Sequence, residues 1–171
     1  MNIHNGRYIV GIDPGLSGAV ALFDPHPIHA EHSELRLQII DMPLHEIKVA
    51  GKKRRQLDLY QLARWFDLKA ADMRHAFIES VHAMPKQGVS SSFSFGFAAG
   101  AVQGIVAASF VPMTLVSPRQ WKAAMKLSAD KDASRRLASQ RLPAFAHLWA
   151  RAKDDGRAEA ALLALYGSIA K

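Results

Sequence analysis

The segment YIVGIDPGLSGAVALFD, residues 8–24, constrains the fold more than any other part of the chain. Its first five residues form an apolar run typical of a buried β-strand, and Asp13 follows where that run ends. Two glycines then mark a tight turn into a second apolar stretch near residues 18–23. Because an unpaired carboxylate at a buried strand end is costly, Asp13 needs a cation or hydrogen-bond donors. The segment therefore predicts core strands with an acidic group at the tip.

The remaining patterns predict a single α/β domain over residues 1–171, a length typical of one domain. Turn signals separate the first three predicted strands, as in an antiparallel meander, whereas helical segments join the last two. The predicted strands cover 7–13, 18–23, 35–42, 76–80 and 113–116, and the predicted helices cover about 59–73, 90–108, a short stretch after Pro118, 131–141 and 155–169. The sequence thus predicts a mixed five-stranded sheet, three strands antiparallel and two parallel, flanked by helices.

The composition narrows the range of partners and locations. The chain has 22 Lys and Arg against 15 Asp and Glu, a net charge of +7, which favours nucleic acid as a partner. The same charge is also compatible with a merely basic protein. The absence of cysteine excludes disulfides and thiolate metal sites. No apolar run reaches the roughly 18 residues of a membrane span, and no signal-peptide core is present. We therefore expect a cytoplasmic protein with no membrane partner.

A set of acidic residues is predicted to converge at one edge of the sheet. Glu79 repeats the pattern of Asp13, because it ends the apolar run of AFIES. If these two strands are parallel neighbours, both acids emerge where open α/β sheets bind their ligands. Asp155 and Glu159 lie four residues apart on one face of the last predicted helix. Glu159 also lines up with the apolar residues of that helix that should pack against the sheet, so both acids are expected to point toward the core side. Clustered carboxylates favour Mg²⁺ or Mn²⁺, and two such ions can promote phosphodiester hydrolysis.

Each acid also has a structural interpretation. Asp13 before Pro-Gly is a common turn former, and Glu79 is compatible with a strand-end charge that faces water. Asp155 is equally compatible with an acid that favours the helix dipole. Asp154 competes with Asp155 for the metal role, because a predicted helix boundary can shift by a few residues. It is the combination of the acids that favours a metal site.

Four motifs occur in order along nearly the whole chain: GIDPGLSGAVA, FIESVHAMPKQGVSSSFSFG, LVSPRQWKAAMKLSADKDASR and DDGRAEAALLALYG. In this order and at these spacings, they resemble RuvC-type Holliday junction resolvases, especially the branch found in phages and prophages, within the RNase H-like superfamily. The resemblance implies an RNase H-like fold and a homodimer in a bacterial cell. It also implies that the dimer grips a four-way DNA junction and nicks two strands symmetrically with a divalent metal.

The resemblance also assigns roles to individual residues. The family's metal-binding acids match Asp13, Glu79, Asp155 and Glu159, although the family commonly spaces the last pair by three residues rather than four. Two family lysines near the scissile phosphate match Lys122 and Lys131. An ammonium there can hold a phosphate oxygen and offset charge in the transition state. From the sequence alone, both lysines are also compatible with ordinary surface cations.

Two further segments are candidates for DNA contact. The stretch 82–97 mixes small residues with Lys86 and Phe93, which suits an opened junction whose unpaired bases stack on aromatic rings. His82 occupies roughly the place where some family members carry an aromatic wedge. The segment GKKRR is a predicted cationic loop, interpreted either as a solvated loop or as a phosphate-contacting arm formed by Lys52, Lys53, Arg54 and Arg55. For two other aromatic side chains of 82–97, core packing is the favoured interpretation: Phe95 and Phe97.

Other functions fit parts of the same pattern. An RNase H-like nuclease acting on other branched DNA or on RNA–DNA hybrids would use the same acids. A non-catalytic junction-binding protein would retain the basic surface and dispense with them. A sugar-kinase or actin-like fold also begins with an acidic glycine hairpin, but the chain is short for its two domains and has no second glycine hairpin.

Overall fold

A computed structural model describes residues 6–26, 36–49, 51–80, 88–128, 130 and 132–170 of the chain. The strands are β1 (Tyr8–Ile12), β2 (Ala19–Phe23), β3 (Leu37–Asp41), β4 (Leu44–Val49), β5 (Lys52–Leu57), β6 (Met73–Glu79) and β7 (Met113–Val116). The α-helices are α1 (Leu59–Lys69), α2 (Val89–Ala108), α3 (Pro118–Ala124), α4 (Ala133–Arg141) and α5 (Asp155–Ile169). Short 3₁₀ turns cover Ala70–Asp72, Pro143–Trp149 and Ala152–Asp154.

The main sheet has five strands in the order β3-β2-β1-β6-β7. β2 is antiparallel to both β1 and β3, whereas β6 is parallel to both β1 and β7. The mixed five-stranded sheet flanked by helices, which the sequence predicts, is confirmed. β1 lies at the centre, so a residue that ends β1 is next to a residue that ends β6.

Helices cover both faces of this sheet, which explains why β1 and β2 are almost entirely apolar. Successive side chains of a strand point to opposite faces. Ile9 accordingly belongs to the core beneath α5, and Val10 belongs to the core beneath α1 and α2. Burial on both faces therefore produces an uninterrupted apolar run rather than an alternating one.

Glycines allow α5 to approach the centre of the sheet closely. A Cβ atom at Gly11 would lie 2.1 Å from the carbonyl oxygen of Ala160. At Gly156, in the first turn of α5, a Cβ atom would lie 2.3 Å from the carbonyl oxygen of Ser17. Because these neighbours are backbone atoms, only glycine fits at either position. The close approach holds the first turns of α5 against the turn that follows β1.

The cationic segment around residue 53 is a strand rather than the predicted loop. β5 pairs with β4 in a separate two-stranded antiparallel sheet, and the turn between them includes Gly51 with a φ of 76°. We call this unit the basic hairpin. Its strands are largely exposed, so they lack the apolar pattern by which a buried strand is recognised. The predicted helical position of Met73 is also wrong. α1 ends four residues earlier, at Lys69, and Met73 begins β6.

α2 is a long helix rich in apolar residues, although no unbroken apolar run of that length appears in the sequence. By length and composition only, this helix is apolar enough to cross a membrane, with a mean hydropathy of 1.3. Serines, glycines and a glutamine interrupt its apolar residues, so the sequence contains no continuous run of that length. Mostly buried core helices of soluble proteins pass the same test, whereas 22% of this window is buried, including Ala98, Val102 and Val106 against the sheet.

Candidate functional site

Two acids stand at adjacent strand ends. Asp13 follows β1 directly, and Glu79 is the last residue of β6, with Ile12 and Ile78 paired in register between the two strands. The carboxylate of Asp13 accepts a hydrogen bond of 3.0 Å from the backbone N–H of Gly15. The β1–β2 turn therefore holds this carboxylate by the geometry of its own backbone.

The other two acids come from the start of α5. Glu159 lies about one turn after Gly156 in α5 and is largely buried, with 17% of its side chain exposed. One of its oxygens accepts hydrogen bonds from Lys122 Nζ at 2.7 Å and from Ser134 Oγ at 2.9 Å. Lys122 belongs to α3, whose N-terminus is capped by Ser117. Residues from β1, β6, α3, α4 and α5 thus meet at one edge of the sheet.

Electrostatics link the four acids to one another. Burial is the main reason that the pKa of Asp13 rises to about 7, and the charges of Glu79 and Glu159 raise it further. Burial likewise raises the pKa of Glu79, with a further contribution from Glu159. The pKa of Asp155 is raised first by burial and then by Glu159. For Asp13, Glu79 and Asp155, burial and neighbouring negative charge therefore disfavour the ionised form more than nearby donors and cations favour it.

Lys122 is the cation nearest to this group. Burial by itself would lower the pKa of its ammonium, but the hydrogen bond to Glu159 and the charges of the surrounding acids outweigh burial and raise it. The positive charge of Lys122 also lowers the pKa of Asp13, Glu79 and Asp155. Arg135 also lowers the pKa of Asp155, so two cations act on four carboxylates and negative charge is in excess at the site.

The donor chemistry of the site fits a hard divalent cation. Its ligand atoms are carboxylate oxygens, which Mg²⁺ and Mn²⁺ prefer. Asp155 Oδ1 is buried and has no hydrogen-bond partner, so it is an acceptor available to a cation. Among the described residues, no three acidic or histidine side chains are already arranged around one point as metal ligands.

The competing acid Asp154 is already engaged. Both of its oxygens accept hydrogen bonds of 2.9 Å from the guanidinium of Arg151. This pairing lowers the pKa of Asp154 to about 2. Asp154 therefore joins the 3₁₀ turn to the start of α5, whereas Asp155 keeps an unpartnered oxygen and interacts with Glu159.

Sequence reasoning missed two residues that hold the acids in position. Trp121 is 1% exposed, and its indole N–H donates a hydrogen bond of 2.9 Å to Glu79. Ser134 is 5% exposed and donates to Glu159. The available signal was that a buried tryptophan needs an acceptor for its N–H. Trp121 directly precedes Lys122 in α3, so the packing of α3 on the sheet brings both residues near the site.

The remaining predicted site residues lie elsewhere or outside the described residues. The cations of the basic hairpin are exposed, and Phe93 is 75% exposed on α2. The prediction that Phe97 packs in the core is wrong. Its side chain is 45% exposed, because the small residues of α2 face the sheet instead. Phe95 is partly buried beside the β1–β2 turn. Three predicted site residues lie outside the described part of the chain: His82, Lys86 and Lys131.

Comparison with known proteins identifies the architecture. No family model and no curated protein matches the sequence. The chain is similar to the Thermus thermophilus RuvC structure, with 17% identity over 93% of this chain and 92% of that one, at a TM-score of 0.56. It is also similar to T. thermophilus RuvC in complex with a Holliday junction substrate, with 16% identity over 93% and 91% and a TM-score of 0.53. The likeness establishes that the two chains share a fold.

Proposed function

We propose that this protein is a structure-specific endonuclease that resolves four-way DNA junctions by metal-dependent hydrolysis of phosphodiester bonds. The observation that carries the proposal is the cluster of buried, mutually interacting acids beside Lys122. The fold shared with T. thermophilus RuvC, one structure of which is a Holliday junction complex, supports the choice of substrate. The positive net charge is consistent with a DNA partner.

In this proposal, the metal ligands are Asp13, Glu79, Asp155 and Glu159. When bound, two Mg²⁺ ions, or Mn²⁺ in their place, supply water activation and stabilise the leaving oxygen of a phosphodiester. Trp121 and Ser134 hold two of the carboxylates in fixed orientations through their hydrogen bonds. Lys122 moves from Glu159 to a phosphate oxygen and offsets its charge. Lys131 is proposed to act in the same way.

Further DNA contacts are proposed on the surface around the acids. The exposed cations of the basic hairpin are suited to backbone phosphates, and Phe93 is suited to an unpaired base. His82 and Lys86 are proposed to approach the branch point. Since the substrate is chromosomal or phage DNA in a bacterial cell, we propose that the enzyme acts in the cytoplasm.

A direct test compares nucleic-acid substrates. The protein is incubated with a synthetic four-way junction, a matched duplex and an RNA–DNA hybrid, each with and without Mg²⁺. Paired symmetric nicks in the junction alone, and only with Mg²⁺, are the expected result. Cleavage of the hybrid or of other branched DNA would instead favour the second nuclease candidate. Binding of the junction without any nicking would favour a non-catalytic junction-binding protein.

We propose that the protein acts as a homodimer, because two symmetric nicks in one junction require two acidic sites. Sedimentation of the wild type, alone and with a four-way junction, is expected to give the mass of a dimer. A monomer in both conditions would contradict this proposal.

Removing the tryptophan hydrogen bond tests how Glu79 is positioned. Trp121→Phe keeps a buried aromatic ring but removes the N–H that Glu79 accepts. We expect about tenfold to hundredfold slower nicking at low Mg²⁺, because outer partners of metal ligands typically contribute that much. Raising the Mg²⁺ concentration should restore most of the rate. A loss that Mg²⁺ does not relieve would indicate a purely structural role for Trp121.

The raised pKa values predict how stability depends on pH and metal. Because the pKa of Asp13 is about 7 in the folded protein and 3.8 as its ordinary value, the metal-free fold loses stability as pH rises from about 4 to 7. Bound Mg²⁺ should offset this loss, so the Mg²⁺-induced rise in melting temperature should be several degrees larger at pH 8 than at pH 5. Thermal unfolding at both pH values measures the difference. An equal rise at both would contradict metal binding at Asp13.

A further inference from the structure

A groove runs between the basic hairpin and the first half of α2. Its volume is about 340 Å³, within the range of sites that take small organic groups. The apolar part of its lining includes Ile47 and Leu57 from the hairpin and Phe93 and Phe97 from α2. Both phenylalanine rings are substantially exposed, so their faces are available for contact with a ligand.

The groove extends toward the acidic site. A second cavity of about 410 Å³ shares Leu16, Arg54, Arg55, Ser90 and Ser94 with the first and reaches Phe95. The ring of Phe95 would lie 4.0 Å from a Cβ atom placed on the glycine whose N–H donates to Asp13. The two cavities therefore form one path that ends at the loop beside the acids.

The polar lining of this path is positively charged. Arg54 and Arg55 line both cavities, and neither cavity has an acidic residue in its lining. On the same hairpin, Glu46 pairs with Lys53 at 2.9 Å. Within the described ranges, no ion pair involves Arg54 or Arg55. The two guanidinium groups are therefore free to contact an anion that enters the groove. An apolar, aromatic floor beneath two arginines is complementary to a base joined to its phosphate.

We propose that the groove holds an unpaired base of the DNA strand that leaves the acidic site, with the adjacent phosphate on Arg54 and Arg55. The inference rests on the proposed nuclease function and adds a distinct subsite to it. A paired base has its faces covered by its neighbours in the duplex and cannot stack on Phe93 or Phe97. The groove thus favours a strand that is opened near the cleavage position.

The test measures binding of a labelled oligothymidine of about 12 nucleotides and of a matched duplex, without metal. Phe93→Ala is expected to weaken single-strand binding by about fivefold to a hundredfold, with much less effect on the duplex. The matched control is Phe110→Ala, which removes an equally exposed phenylalanine outside the groove and should change binding less than twofold. Equal losses for the two variants would overturn the proposal.

A second pair of variants tests the phosphate contact independently of the aromatic floor. Arg55→Gln should reduce the salt dependence of single-strand binding by about one unit in the log–log slope. Arg64→Gln, on the exposed surface of α1, should leave the slope unchanged. Unchanged slopes for both variants would overturn the phosphate contact. Sedimentation of each variant separates loss of the groove from loss of a dimer.

The nicking assay separates this inference from the proposed function. If the wild type nicks junctions and Phe93→Ala binds single strands as Phe110→Ala does, the groove assignment fails and the nuclease stands. If the wild type never nicks, the nuclease fails, and the single-strand comparison alone decides the groove. If nicking occurs and only the groove variants lose single-strand affinity, both are supported.

Discussion

Asp13→Asn is expected to slow junction nicking by more than about a hundredfold while leaving junction binding within a factor of about three. The amide keeps the size and shape of the side chain but loses the charge with which a divalent cation would be held. Even outer partners of metal ligands typically contribute 10–100-fold, so a ligand itself should contribute more. Nicking rates and binding isotherms on the same junction measure the two quantities separately.

The matched control for this variant is Asp67→Asn, which makes the same chemical change on the exposed surface of α1. It should alter neither nicking nor binding. Thermal unfolding adds a second check, because burial makes the ionised form of Asp13 unfavourable at neutral pH. Asp13→Asn should therefore be at least as stable as the wild type without metal. Full nicking activity in this variant would refute the proposed metal site.

The sequence is most informative where burial acts on both faces of an element. β1 and β2 are recognisable because helices cover each side of them, which leaves an apolar run that ends at a single acid. The sequence also predicts that the carboxyl ends of β1 and β6 lie together, because neighbouring parallel strands end at the same edge of a sheet. The adjacency of Asp13 and Glu79 follows from these two features alone.

The sequence is least informative where the contacts are long-range or the element is exposed. β4 and β5 stabilise each other with little burial, so neither carries a recognisable apolar pattern. Phe97 suggests a core residue by its chemistry, but the small residues of α2 are the ones that fit closely against the sheet. The choice between Asp154 and Asp155 depends on where Arg151 points, which no local pattern specifies.

The residues that donate hydrogen bonds to the acids also cannot be recognised in the sequence, because these contacts are long-range. Trp121 and Glu79 are 42 residues apart in sequence, and Ser134 and Glu159 are 25 apart. Their hydrogen bonds exist only after α3, α4 and α5 have packed on the sheet. The chemistry of the site can therefore be predicted from residue types, whereas the orientation of its carboxylates depends on the packed fold.

That packing leads to the second prediction: Gly11→Ala should cost about 3 kcal/mol or more of folding stability. A Cβ atom there would lie 2.1 Å from the oxygen of Ala160 and 2.4 Å from the nitrogen of Ala164. Since both are backbone atoms, no rotamer change relieves the overlap and α5 must move. Away from such contact, alanine is normally better than glycine in a strand. The melting temperature should fall by roughly 6–12 °C.

The contrasting variant is Gly104→Ala, at a helical position with no neighbour within 4 Å of the added Cβ. It should raise the stability of the monomer by about 0.5–1 kcal/mol, because glycine is unfavourable inside a helix. Displacing α5 also moves Glu159 away from Lys122 and Ser134, so Gly11→Ala should lose nicking activity even below its melting temperature. A wild-type melting temperature and rate for Gly11→Ala would mean that α5 does not approach β1 as closely as the site requires.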